Sequence, residues 1–244
     1  MSQQPFQFKK FKVHQDRCAM KIGTDGVLLG AWSSIEHEPK SILDIGAGTG
    51  VIALQLAQRS SASTIDAIEI DDQAHEQCTH NFEHSDWADR LFCYHASVQE
   101  FASEMEHKYD LIVSNPPFFK APKSIDAQTQ NTSQERAVAR FTDTLPFKHL
   151  VVCAAHLLSQ NGVFCTILPQ TEVASFIEIA AQNKLFISKI CTIRGTKTSK
   201  IKRCLLAFST RQNKPKTQEL TIEISRHNYT QEYKNLVSDF YVKM

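Results

Sequence analysis

The run Asn115-Pro116-Pro117-Phe118 has the means to hold a planar amino group. Asn115 offers a side-chain carbonyl. Pro117 restricts Pro116 to an extended conformation, so the Pro116 carbonyl can point into a site. Two such acceptors can take both hydrogens of an NH2 group whose lone pair is delocalised. The nitrogen is then aimed at an electrophilic methyl for in-line displacement. Asn115 is neutral and cannot be a strong base. None is needed, because an N-methylated arylammonium loses its proton readily to water. Phe118 can stack on the planar target, as aromatic residues do with exposed bases. Asn115, Pro116 and Phe118 are therefore the expected catalytic group.

A second segment, Asp44-Ile45-Gly46-Ala47-Gly48-Thr49-Gly50, reads as a ligand loop between a strand and a helix. Its G-x-G-x-G spacing differs from the G-x-G-x-x-G that seats a pyrophosphate. The acid at its head suits a cationic ligand such as S-adenosylmethionine (SAM), which carries an ammonium and a sulfonium but no phosphate. Asp44 either faces that cofactor or caps the turn. Gly46 and Gly48 are expected beneath the ligand. Glu69 closes the next strand and can accept both ribose hydroxyls. Ile70 is the expected apolar wall of an adenine pocket, with Ser97 beside it.

The elements that must position these residues alternate. Ser41 to Ile45, Thr64 to Ile70, Leu91 to Ala96 and Tyr109 to Ser114 read as strands. Between them lie helical patterns beginning near Val51, Asp71 and Val98. This alternation is the signature of a parallel sheet with helices on both faces. Asn115 thus falls at the carboxyl edge of a buried strand, where open α/β sheets bind ligands. Phe119 to Thr144 has little apolar periodicity and is expected to be a functional loop acting as a lid. Beyond it come a helix over Leu145 to Leu158, a strand over Gly162 to Leu168 and a helix over Glu172 to Gln182. Two β runs, Leu185 to Ile193 and Arg203 to Ser209, are followed by a further strand over Leu220 to Ile224. A closing helix runs from Thr230 to Tyr241. A single domain spanning 1–244 is expected, with a 1–39 N-terminal segment, a 40–210 core and a 211–244 tail.

The charge is unevenly spread although the net value is only +1. Twelve acids between Ser61 and Asp110 face only Arg90 and Lys108. From Lys184 to Lys216 there are ten bases and no acid. A cationic face of this kind suits a polyanion such as RNA. Phe6-x-Phe8-Lys9-Lys10-Phe11-Lys12 interleaves aromatics with lysines, a mix suited to single-stranded RNA. Lys9, Lys10, Lys12, Arg194, Lys197, Lys200 and Arg203 are the expected RNA contacts. The seven cysteines are odd in number and lack C-x-x-C spacing, so buried reduced thiols are expected, with no metal site. No signal-peptide or membrane-length apolar run is present, and a cytoplasmic monomer is the expectation.

From about residue 40 to 210 the chain resembles the class I Rossmann-like methyltransferases of the N-P-P-Y/F group. Their targets include glutamine amides, guanine N2 and adenine N6. The block Asp16-Arg17-Cys18-Ala19-Met20-Lys21-Ile22-Gly23-Thr24-Asp25-Gly26-Val27-Leu28-Leu29-Gly30-Ala31-Trp32 is similar to the start of the bacterial tRNA1(Val) adenine-37 N6-methyltransferases, as are Asn228-Tyr229-Thr230 and Phe240-Tyr241 in the tail. The resemblance implies a mostly parallel seven-stranded sheet with an antiparallel end strand. It implies SAM as cofactor and the anticodon loop of a valine tRNA as substrate. Thr24 and Asp25 would approach the methionine end of SAM, and Asn115 would serve both cofactor and target. Many relatives carry Asp where this chain has Ser97. A protein glutamine-amide or ribosomal guanine-N2 methyltransferase is the alternative within the same group.

Overall fold

The structure is a computed structural model that describes residues 4–117 and 146–243. Phe118 and the expected lid over Phe119 to Thr144 lie outside the described residues. The elements are β1 (Phe6–Gln7), β2 (Lys12–Val13), α1 (Thr24–Trp32), β3 (Ser41–Ile45), α2 (Val51–Arg59), β4 (Thr64–Glu69), α3 (Asp72–Glu83), β5 (Leu91–His95), α4 (Val98–Glu104) and β6 (Tyr109–Ser114). After the undescribed segment come α5 (Phe147–Leu157), β7 (Leu158–Pro169), α6 (Val173–Gln182), β8 (Phe186–Thr196), β9 (Ile201–Ser209), β10 (Lys216–Ser225), β11 (Asn228–Tyr229) and α7 (Gln231–Val237).

The order β11-β10-β8-β9-β7-β6-β3-β4-β5 forms one nine-stranded sheet. The seven strands expected from the resemblance are its body, and β10 and β11 extend one edge. Two strands are antiparallel to their neighbours. β11 is the edge strand, whereas β9 is interior, between β7 and β8. Strands β3 to β8 and β10 all point the same way, so their carboxyl ends share one edge. β3 is buried at every position, as a central strand covered on both faces requires. One face carries α1, α2, part of α3 and α7 together with Phe8, Phe11 and Val13 of the β1–β2 hairpin. The other carries α4, α5 and α6 around Phe101, Leu150 and Phe176. Among the described residues no helix is long and apolar enough to cross a membrane.

Candidate active site

The carboxyl edge gathers most of the expected site residues. Ile45 at the end of β3 pairs with Ile68 of β4 and with Ser114 of β6. The Ser114 hydroxyl donates to the Ile45 carbonyl at 2.9 Å, fixing the two strand ends together. The next residue on each side is Gly46 and Asn115, so the glycine loop and the Asn-Pro-Pro turn leave the sheet side by side. Asn115 and Pro117 are half-buried and Pro116 is buried.

The loop turns through three left-handed glycines, Gly46 (φ 74), Gly48 (φ 55) and Gly50 (φ 76). A Cβ at Gly46 or Gly48 would meet nothing within 4 Å, so their open sides face free space. A Cβ at Gly50 would sit 2.6 Å from Phe82 and 2.8 Å from the Cys78 sulfur, so this glycine lets α3 pack against the loop. Gly46 and Ala47 donate to the Ile68 carbonyl at 2.9 and 3.0 Å. The Glu69 carboxylate accepts from Gly48 N (2.8 Å), Ile70 N (2.8 Å) and Asp71 N (2.9 Å). It therefore stands at the loop, where a ribose would meet it.

Asp44 is fully buried beneath the loop rather than facing it. One carboxyl oxygen accepts from Ala53 N at 3.2 Å in the first turn of α2. The other is buried without a hydrogen-bond partner. Burial pushes this carboxyl up to about 7, against the opposing pull of the Ala53 bond. A cation lying over the loop would relieve that desolvation. The orphaned oxygen, the open space above Gly46 and Gly48 and the carboxylate at Glu69 together fit a SAM molecule.

Ile70 is 57% exposed just past the end of β4, so its side chain is open to a flat apolar ligand. Ser97 is committed to the fold. Its hydroxyl accepts from Glu100 N (3.2 Å) and donates to the Glu100 carboxylate (2.7 Å), capping α4.

Thr24 is the first residue of α1 and exposed, with Gly23 as the cap. Asp25 pairs with Arg203 at 2.7 Å. A residue assigned to the cofactor and one assigned to RNA thus meet each other, and Arg203 ties β9 to the first turn of α1. Arg194 is likewise bound to Glu219 through two bonds of 2.7 and 3.2 Å. Lys197 and Lys200 remain exposed in the β8–β9 turn at the carboxyl edge.

Lys9, Lys10 and Lys12 point outward from the β1–β2 hairpin on the helical face. Lys9 Nζ donates to the Ser238 carbonyl at 2.6 Å. The aromatics between them pack against the protein itself. Phe8 and Phe11 are 0% and 5% exposed, and Phe6, Phe8, Phe11, Tyr241 and Trp87 pack together. Period-two alternation in a hairpin explains the pattern as core in and lysine out.

Asn81 was not singled out by its sequence. It accepts from His14 N (2.8 Å) and donates to the His14 and Thr49 carbonyls (2.9 Å each), stitching the N-terminal strap to the glycine loop. Gln77, one turn earlier, accepts from Arg17 N at 3.1 Å. Their i,i+4 spacing on a polar helix was the available signal. Among the described residues no group of three or more His, Cys, Asp or Glu could hold a metal.

A sheet of this order, with a glycine loop and an acid at successive strand ends, defines the class I methyltransferases, and the chain is a SAM-dependent methyltransferase. The family model "Methyltransferase small domain" matches residues 23–145. The chain belongs more narrowly to the family of the tRNA1(Val) (adenine(37)-N6)-methyltransferases. It is 56% identical to the one from Christiangramia forsetii, with 100% of both chains covered. It is 53% identical to that of Flavobacterium psychrophilum, over 98% of this chain and 100% of the relative. Among solved structures, a predicted O-methyltransferase from Agrobacterium tumefaciens shares the fold at a TM-score of 0.67 and 17% identity, covering 88% of this chain and 96% of that one.

Proposed function

We propose that this chain transfers a methyl group from SAM to the exocyclic N6 of adenine 37 in the anticodon loop of tRNA1(Val). The observation that carries the mechanism is the placement of Asn115 and Pro116 one and two residues beyond the Ile45–Ser114 pair, beside Gly46. Bound SAM supplies an electrophilic methyl on a sulfonium centre. Asn115 Oδ1 and the Pro116 carbonyl accept the two N6 hydrogens and turn the nitrogen lone pair toward that methyl. Phe118, outside the described residues, is the aromatic assigned to the target adenine. Thr24 and Asp25 would bound the methionine end of SAM, Gly46 and Gly48 would leave room for it, Glu69 would hold the ribose, and Ile70 would line the adenine side. Lys197 and Lys200 in the β8–β9 turn, with Lys202 at the start of β9, receive the tRNA backbone, and Lys10 and Lys12 supply a second basic surface.

The substrate follows from the relatives, whose names specify that tRNA and that adenine. Incubation with methyl-labelled SAM and unmodified tRNA1(Val) should give N6-methyladenine at position 37 by mass spectrometry. Label on protein glutamine or on guanine would overturn the reading in favour of another N-P-P-Y/F chemistry. Asn115→Ala should lower turnover about a hundredfold or more while SAM still binds by calorimetry. Turnover near wild type would refute the role given to Asn115.

A further inference from the structure

The β10–β11 extension brings one more cation to the edge that carries the site. β10 runs parallel to β8 with Glu223 opposite Thr196, so the turn after β10 emerges next to the β8–β9 turn. That turn is well defined. Ser225 pairs with Asn228 across it. His227 takes a left-handed φ of 62, and its N–H donates to Glu223 Oε1 at 3.2 Å. Arg226 at its tip is exposed. Among the described residues Arg226, Lys197, Lys200 and Lys202 make no ion pair, whereas Arg194 is held by Glu219. The acid nearest in the turn, Glu223, is engaged by the His227 N–H.

We propose that the β10–β11 turn, through Arg226, is a docking point for the RNA backbone outside the methylated loop. The inference rests on the tRNA reading above. Neighbouring strands lie about 4.8 Å apart, so four strand steps place this turn roughly 20 Å along the sheet from the strand that carries Asn115. That distance is too great for the reacting nucleotide and suits the flanking RNA. A row of exposed cations from Lys202 through Lys197 to Arg226 follows one edge. A polyanion with regularly spaced phosphates fits such a row better than a compact ligand does. The two added strands thus widen the binding edge beyond the methyltransferase core.

The test is equilibrium binding of transcribed tRNA1(Val) to the full chain at a series of salt concentrations. Arg226→Gln should weaken binding about fivefold and lower the slope of log affinity against log salt by about 0.7 to 0.9. Lys216→Gln, at the opposite end of β10, should change neither quantity. Both variants should bind SAM like the wild type, which confirms that they are folded. Unchanged affinity and slope for Arg226→Gln would overturn the inference, as would an equal loss for Lys216→Gln. A wild-type chain that neither binds nor methylates this tRNA would instead overturn the substrate reading, and this inference with it.

Discussion

Asp44 is the residue at which fold and cofactor chemistry pull against each other. Its carboxyl is wholly buried, has one orphaned oxygen and is raised from an ordinary 3.8 to about 7. A raised folded-state value means that the protonated form is favoured by folding. The associated stability is present below the ordinary carboxylate range and is lost as pH climbs toward 7. Asp44→Asn should therefore be more stable than wild type at pH 8, by up to about 4 kcal/mol. Its thermal stability should also vary less between pH 4 and 7. A cation bound over the loop favours the ionised carboxylate, so SAM should bind more tightly as pH rises from 6 to 8. Calorimetry on the two proteins checks this. If the substituted protein keeps the wild-type pH profile, another group is responsible.

At the scale of the element, the glycine loop divides its labour in a way its spacing conceals. Gly46, Gly48 and Gly50 share left-handed backbones, but only Gly50 is wedged against α3. Gly50→Ala should cost about 3 kcal/mol, from backbone strain plus overpacking against Phe82 and Cys78. For a chain of this size that is a fall of roughly 6–12 °C in melting temperature. Gly48→Ala should cost only about 1 kcal/mol of stability, because its Cβ meets no protein atom. It should instead raise the SAM dissociation constant, since that Cβ would stand in the ligand's space. Melting curves and SAM titrations on both variants separate the two roles, and equal melting temperatures would refute them. The sequence made the loop legible as a loop because glycine spacing is local. The difference between its glycines depends on Phe82, far along the chain, and no local pattern carries that. The same holds for Asp25, whose partner Arg203 lies far along the chain, whereas the Ser97–Glu100 capping box is a local pattern that the reading of Ser97 as a cofactor residue passed over.

Across the whole molecule the chain ends clasp each other. Phe8 bridges to Tyr241, Lys9 N donates to the Phe240 carbonyl at 2.8 Å, and Gln58 Nε2 donates to the Asp239 carbonyl at 3.0 Å. The β3-to-β9 core was legible because buried parallel strands are continuous apolar runs and the helices between them are amphipathic. The β1–β2 hairpin was not, because each strand has two residues and its aromatics alternate with lysines just as an RNA-stacking segment would. Only the tertiary partners Trp87, Phe240 and Tyr241 decide between the two. Phe8→Ala distinguishes them in solution. As a core residue, Phe8 should cost about 3–5 kcal/mol when truncated, seen as a lower unfolding midpoint in denaturant. Its loss should leave tRNA affinity within about twofold at a temperature where the variant is folded. Had Phe8 stacked on a base, stability would be almost unchanged. Binding would then weaken by about 1–3 kcal/mol, or roughly 5-fold to 150-fold. The measured pair of values, one for unfolding and one for tRNA binding, places Phe8 in the clasp or on the RNA.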